Sequence, residues 1–216
     1  MKFASFGVCL HLHLRPAVRG SVNNFLFMYY RIFSKIYERA ARKMCQDCKN
    51  FIPRGSRILD LGSGSGIVAK TLAVFFESLI TGVDIRDNRV VNIPFKIIDG
   101  KNLPFKDNEF DVCVIGYVLH HAQESAVLLK EAKRVTKDKI LIYEDLPEGK
   151  ISNFFCKIHG RSFNYFFQKN NENGKFLSSQ NWKEIFEKSG LKLVFEKRAS
   201  SVFNPLKKKL FILEKI

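Results

Sequence analysis

Ten residues, Arg57-Ile-Leu-Asp-Leu-Gly-Ser-Gly-Ser-Gly66, constrain the fold of this chain more than any others. Ile58 to Leu61 read as a short buried strand, and the glycines that follow break it into a loop that opens a helix. Residues without side chains let a ligand lie against the backbone, and the first turn of a helix offers unpaired N–H groups. Dinucleotide-binding folds use the same device, so the glycines alone do not select a ligand. Asp60 does. A carboxylate two residues before the first glycine would repel a pyrophosphate at that turn and favours a ligand carrying positive charge there.

The rest of the chain supports a layered α/β fold. Residues 22–48 carry Phe25, Met28, Tyr29, Ile32, Phe33, Ile36 and Tyr37 at helical spacing, with Arg31, Lys35, Arg39 and Arg42 between them, which predicts one amphipathic helix or two. After Pro53-Arg-Gly55 the pattern alternates. Strands are predicted at Arg57–Leu61, Leu79–Val83, Phe95–Ile98, Asp111–Ile115 and Lys139–Tyr143, with helices at Gly66–Glu77 and Ala126–Val135. Such alternation argues for a doubly wound, mostly parallel sheet covered on both faces, with ligands beyond the carboxyl ends of the strands. Acidic residues stand at four of those ends: Asp60, Asp84, Asp99 and the pair Glu144 and Asp145. Asp111, at a strand start, is expected to be structural.

The last third differs. Residues 151–176 are crowded with aromatic side chains and read as an insertion or lid, in which His159 is undistinguished. Ser179–Ser189 is predicted as a helix closed by Gly190, and Leu191–Glu196 and Leu210–Leu213 as an antiparallel pair. The run Lys207-Lys-Lys209 is expected to flank an edge strand.

Composition limits the choices further. At 216 residues and 46% apolar content the chain can bury one substantial core, and its net charge of +15 favours anionic partners. Cys9, Cys45, Cys48, Cys113 and Cys156 form no disulfide framework in a chain of this type. Cys45 and Cys48 lack the two further ligands that zinc needs, so no metal is expected. No run approaches the roughly twenty apolar residues that span a bilayer. Met1–Leu14 is interrupted by His11 and His13 and lacks a cleavage motif, so a cytoplasmic location is expected, with peripheral membrane association left open. Met28 is an alternative start inside the first helix, which leaves the status of residues 1–27 open.

These motifs, in this order, resemble the class I S-adenosylmethionine-dependent methyltransferases, in particular their small-molecule, type 11-like branch. The resemblance covers roughly residues 50–216. It rests on Asp60-Leu-Gly-Ser-Gly-Ser-Gly66, on Asp84, and on Ile98-Asp-Gly-Lys-Asn-Leu-Pro-Phe105 with Asn108-Glu-Phe-Asp111. Val118-Leu-His-His121 and the segment from Phe176-Leu-Ser through Trp182 and Phe186 to Gly190-Leu191 extend it. It implies a Rossmann-like seven-stranded sheet with an antiparallel C-terminal strand pair. It also implies a helical cap over residues 1–50 and a transferase domain over 51–216. S-adenosylmethionine has no phosphate but carries an ammonium and a sulfonium, which suits Asp60.

The resemblance further implies a role for each matching position. Gly62, Ser63, Gly64 and Gly66 would line the methionine and ribose portions. Asp60 would meet the ammonium, Asp84 the ribose diol, and Ile85 the adenine face. Asp99 would accept from the adenine amino group beside the Gly100 N–H, and Tyr117 would lie near the methionine end. S-adenosylhomocysteine would be the product.

Methyl transfer from a sulfonium is a direct displacement, so alignment and exclusion of water matter most and a base is useful only when the acceptor must lose a proton. His120 and His121 are candidates for that base, although adjacent histidines on a helix cannot both face one pocket; Tyr143, Glu144 and Asp145 are the alternatives. The aromatic segments suit a small-molecule or lipid-like acceptor. Stacking aromatics beside lysines would also suit nucleic acid. An Asn-Pro-Pro-Tyr-type signature, however, is replaced by Gly116-Tyr-Val-Leu119, which argues against common base methylation. A non-catalytic cofactor-binding scaffold is the remaining class. Oligomeric state is not legible.

Overall fold

The computed structural model describes residues 24–163, 175–199 and 206–216, without the side chains of 24–27, 159, 160, 162 and 163. The expectations placed on Met1–Leu14, Cys9, the His159 side chain and residues 164–174 lie outside the described residues. Two helices come first, α1 (Asn24–Ile32) and α2 (Ser34–Cys48). The alternating part follows: β1 (Arg57–Leu61), α3 (Ile67–Phe75), β2 (Leu79–Asp84), β3 (Phe95–Ile97), β4 (Phe110–Gly116), α4 (Ser125–Val135) and β5 (Thr136–Leu146). A single 3₁₀ turn, Leu119–His121, joins β4 to α4. Helices α5 (Lys150–Phe163) and α6 (Ser179–Lys188) lead into β6 (Leu191–Arg198) and β7 (Lys207–Lys215).

The strands form one sheet in the order β3-β2-β1-β4-β5-β7-β6. The first five pair in parallel, and β7 runs antiparallel to both β5 and β6. The period-2 alternation of the strands sorts the core into two layers. Val112, Val114, Leu141 and Ile212 face α2 and α3, packing with Cys45, Ile67 and Leu72. Cys113, Ile115, Ile142 and Phe211 face α4 and α6, packing with Leu129, Trp182 and Phe186. Asp60 lies two residues from Ile58 and so shares the first of these faces. Among the described residues no helix is long and apolar enough to cross a membrane.

Helix ends follow local chemistry. The Ser178 side chain accepts a hydrogen bond from the Asn181 N–H and caps α6, while Gly190, at φ +72°, turns the chain into β6. Asp111 is structural: its Oδ2 accepts from the Arg57 N–H at 2.8 Å, tying the start of β4 to β1.

Two expectations are corrected. Lys207–Lys209 opens an interior strand, not an edge one, because β7 inserts between β5 and β6. Glu144 and Asp145 do not close their strand; β5 runs on to Leu146 and both carboxylates are buried within it. Pairing with β7 extends β5 past the point where its apolar run ends, since Glu144 and Asp145 stand opposite Lys209 and Lys208.

Candidate cofactor and acceptor site

The glycine loop leaves β1 and folds back onto the end of β2. The N–H groups of Gly62 and Ser63 both donate to the Val83 carbonyl, at 2.8 and 3.0 Å. Its glycines do different work. A Cβ on Gly62 would sit 2.2 Å from Val118, so that residue is required by packing. A Cβ on Gly64 would meet nothing within 4 Å, so there the missing side chain leaves open space over the loop. Gly66, at φ +76°, turns the chain into α3.

Asp60, in β1 just before this loop, has 3% of its surface exposed, and its Oδ2 has no hydrogen-bond partner among the described residues. Ser63 Oγ is buried and equally unsatisfied. Burial pushes the Asp60 carboxyl up to about 7; the nearby Ser63 hydroxyl opposes the shift and the Asp84 charge adds to it. Unpartnered buried oxygens are costly, and a cationic group reaching them would satisfy them. The residues present therefore fit an ammonium-bearing ligand.

Asp84 ends β2. Its Oδ2 accepts from the Gly64 N–H at 2.8 Å and its Oδ1 from the Ile85 N–H at 2.7 Å, so the carboxylate sets the loop's position. Burial raises its pKa, and these backbone donors oppose the shift. Ile85, the next residue, is half exposed and offers a flat apolar surface.

Asp99 is exposed and organises its own turn. Its Oδ1 accepts from the Lys101 and Asn102 N–H groups and its Oδ2 from the Asn102 side chain, which together hold its carboxyl down at about 2. Gly100, at φ +81°, brings its backbone against Ile85.

Tyr117 holds a left-handed backbone at φ +61°, unusual for an aromatic residue and of the kind that clusters at functional sites. The Lys208 ammonium lies 4.0 Å from its ring centroid and 2.9 Å from Asp145 Oδ1. Tyr143, buried beneath, donates its hydroxyl to the Met44 carbonyl and so fastens α2 to β5.

The two histidines separate. His120 is buried, with Nδ1 2.5 Å from Glu144 Oε2 and its ring stacked on Phe176 at 4.4 Å. Glu144 Oε1 also accepts from the Leu119 N–H, so this carboxylate anchors the whole 3₁₀ turn. His121 is only half-buried.

Three participants escaped the sequence reading. Gly82 allows the loop to close, because a Cβ there would lie 2.6 Å from Ser63 Oγ; a glycine inside a strand pattern was the available signal. Burial lifts the phenol of Tyr30, on α1, to about 12, and the Asp84 charge adds to the shift. Lys208 reaches the site through the insertion of β7, which has no local signature.

The pH dependence follows from Asp60. Its folded-state pKa lies above the unfolded value of about 3.9, so the folded protein holds the extra proton and the ligand-free protein loses stability as pH rises from about 4 to 7. A cationic ligand needs the ionised form. Affinity for S-adenosylmethionine is therefore expected to fall as pH drops below about 7, and Asp60→Asn to bind weakly at every pH. Calorimetric titration at a series of pH values checks both, and an unchanged profile in the variant rejects Asp60 as the group responsible.

Residues 59–142 match a family model described as a methyltransferase domain. The demethylmenaquinone methyltransferase of Thermotoga maritima is 33% identical over 117 residues, 47% of this chain and 51% of that one. The enzyme of the same name from Staphylococcus haemolyticus is 29% identical over 176 residues, 73% of this chain and 72% of that one. The chain thus spans about half the length of the Thermotoga relative. Among solved structures, a Methanosarcina mazei protein named as an S-adenosylmethionine-dependent methyltransferase superposes with a TM-score of 0.62 at 17% identity, over 78% of this chain and 96% of that one. The matched stretch carries the glycine loop, Asp60 and Asp84, so residues 59–142 are similar to a methyltransferase domain, and the sheet order gives the chain the Rossmann-like fold of that Methanosarcina structure.

Proposed function

We propose that the protein transfers the methyl group of S-adenosylmethionine to a lipid-like acceptor of the quinol type. The observation that carries the cofactor half of this reading is the buried Asp60 carboxylate, with its Oδ2 unsatisfied among the described residues, at the foot of a glycine loop that leaves open space at Gly64. Asp60 and Ser63 would hold the ammonium end, Asp84 the ribose diol, Ile85 the adenine face, and Asp99 with the Gly100 N–H the adenine edge. When bound, the sulfonium supplies an activated methyl that leaves by direct displacement. The chain's part is to align the acceptor and keep water away, effects worth several kcal/mol or more.

The acceptor side rests on the relatives named for demethylmenaquinone and on the aromatic lining. Tyr29, Tyr30, Phe33 and Tyr37 cluster with ring centroids 4.8–6.4 Å apart on the cap. Tyr117 and the Lys208 ammonium stand at the end of β4, where a developing phenolate oxygen would find positive charge. His121, being half-buried, is the histidine able to take the acceptor's proton. His120 holds the turn through Glu144. In this reading residues 1–50 serve as the cap and 51–216 as the transferase domain.

The test is transfer of labelled methyl from S-adenosylmethionine to a reduced demethylated naphthoquinone with a short isoprenoid tail, alongside bulk lipid, RNA and protein. Label is expected in the quinol and lipid fractions. Label in RNA alone would overturn the acceptor assignment, and absence of both transfer and cofactor binding would overturn the whole reading.

A further inference from the structure

Two helices carry apolar faces that are turned outward. On α5, Ile151, Phe154, Phe155 and Ile158 fall at i, i+3, i+4 and i+7 and share one face, with Ile151 67% and Phe154 60% exposed. The opposite side is the anchored one: Ser152 donates to the Leu146 carbonyl, and Cys156 is buried. Along α1 and into α2, Met28, Ile32 and Ile36 recur at i, i+4 and i+8, with Ile32 69% exposed. An amphipathic helix of a globular domain buries its apolar stripe; these two leave theirs in solvent.

The charges that interleave with these faces are basic, and the nearest acid on the α1–α2 segment, Glu38, is paired with Arg42 at 2.7 Å. Lys150, Lys157 and Arg161 run along one border of the α5 stripe, and all three are exposed. Arg31, Lys35 and Arg39 interleave with Met28, Ile32 and Ile36 and are exposed as well. Neither residues 24–37 nor residues 149–163 contain an Asp or Glu, in a chain of net charge +15. Both helices belong to the carboxyl edge of the sheet. Helix α5 is fixed to the end of β5, and α2, which continues α1, is fixed to β5 through Tyr143 and Met44.

We propose that α5 and the α1–α2 segment form a docking surface for an anionic lipid bilayer, with the apolar side chains entering the headgroup boundary and the Lys and Arg side chains meeting lipid phosphates. Apolar area supplies depth, and the cations supply attraction to negative lipid and can extend to the headgroups while their stems stay with the apolar residues. A protein partner would be expected to present mixed charge. The basic border, free of acids along α5, matches a surface whose charge is uniformly negative. The inference stands apart from the methyl-transfer reading, since binding to vesicles needs neither cofactor nor acceptor.

The experiment is flotation of the full chain with vesicles of phosphatidylcholine alone, or of two parts phosphatidylcholine to one of phosphatidylglycerol. The protein is expected to float with the anionic vesicles and to stay behind with the neutral ones. The triple variant Ile151→Glu/Phe154→Glu/Ile158→Glu is expected to lower the bound fraction at least about tenfold. These side chains are exposed, so the variant's circular dichroism and S-adenosylhomocysteine binding serve to show that it remains folded. A second variant, Lys157→Glu/Arg161→Glu, is expected to weaken binding and its salt dependence together. Failure to float with anionic vesicles overturns the proposal. So does equal flotation of the triple variant and the wild type, which would reduce the interaction to charge adsorption. A dimer that the triple variant dissolves, without flotation of the wild type, would assign the face to a second copy of the chain instead.

Discussion

Asp84→Ala is expected to weaken binding of S-adenosylmethionine and S-adenosylhomocysteine by about ten- to a hundredfold, from loss of charge-assisted hydrogen bonds worth roughly 1.5–3 kcal/mol. Two effects combine. The carboxylate is the proposed acceptor for the ribose hydroxyls, and it also receives the Gly64 and Ile85 N–H groups that shape the loop. Alanine removes the first and leaves the second pair of donors to solvent. Asp84→Asn keeps one oxygen for the Gly64 N–H and should fall between the two. Calorimetric titration reads the affinities directly, and a thermal melt of the ligand-free variants separates loosening of the loop from lost contact. An alanine variant that binds as the wild type does would remove Asp84 from the site.

The largest loss of stability is expected at Trp182→Ala, about 3–5 kcal/mol. Trp182 is 1% exposed and stacks on Phe186 at 6.1 Å, and Phe186 meets Phe211 of β7 edge-on at 5.3 Å. These rings join α6 to the sheet at β7, so a truncated side chain leaves a cavity between rigid layers. The indole Nε1 has no hydrogen-bond partner, so Trp182→Phe forfeits packing alone and is expected to cost under about 2 kcal/mol. Urea denaturation of the two variants checks the ratio. A loss below about 1 kcal/mol for alanine would mean that α6 is not part of the cooperative core.

The parallel half of the sheet and the glycine loop after β1 were legible in the sequence because both are local. Ile58 to Leu61 carries its own strand pattern, the glycines mark the turn, and Asp84 follows directly from the apolar run of β2. Asp111 was equally readable, since a carboxylate at a strand start has only backbone nearby to bind. What was not legible depends on pairing at long range. Nothing near Lys207–Lys209 says that the strand it opens will enter between two others, so its interior position and the contact of Lys208 with Tyr117 could not be read. The same insertion lengthens β5 past Tyr143 and buries Glu144, turning an expected strand-end acid into the anchor of His120. The histidine pair shows the limit most clearly. Sequence placed both after β4, and only the fold separates a buried ring from a half-buried one.

The place of β7 bears on how the domain assembles. Synthesis delivers residues 191–198 before the strand that has to separate them from β5. At that stage the open border of β5 is available, and β6 would be the wrong occupant. Its sequence makes it a poor competitor: Lys192, Val194, Phe195 and Arg198 remain in solvent even in the finished fold, whereas Leu210, Phe211, Ile212 and Leu213 are wholly enclosed. The two strands differ in pattern, not in apolar content: Leu210 to Leu213 form an unbroken apolar run suited to a strand covered on both faces, whereas Lys192 interrupts the apolar residues of β6 and three charges end it. That patterning favours the later ribbon as the permanent neighbour of β5 and leaves the earlier one to the rim.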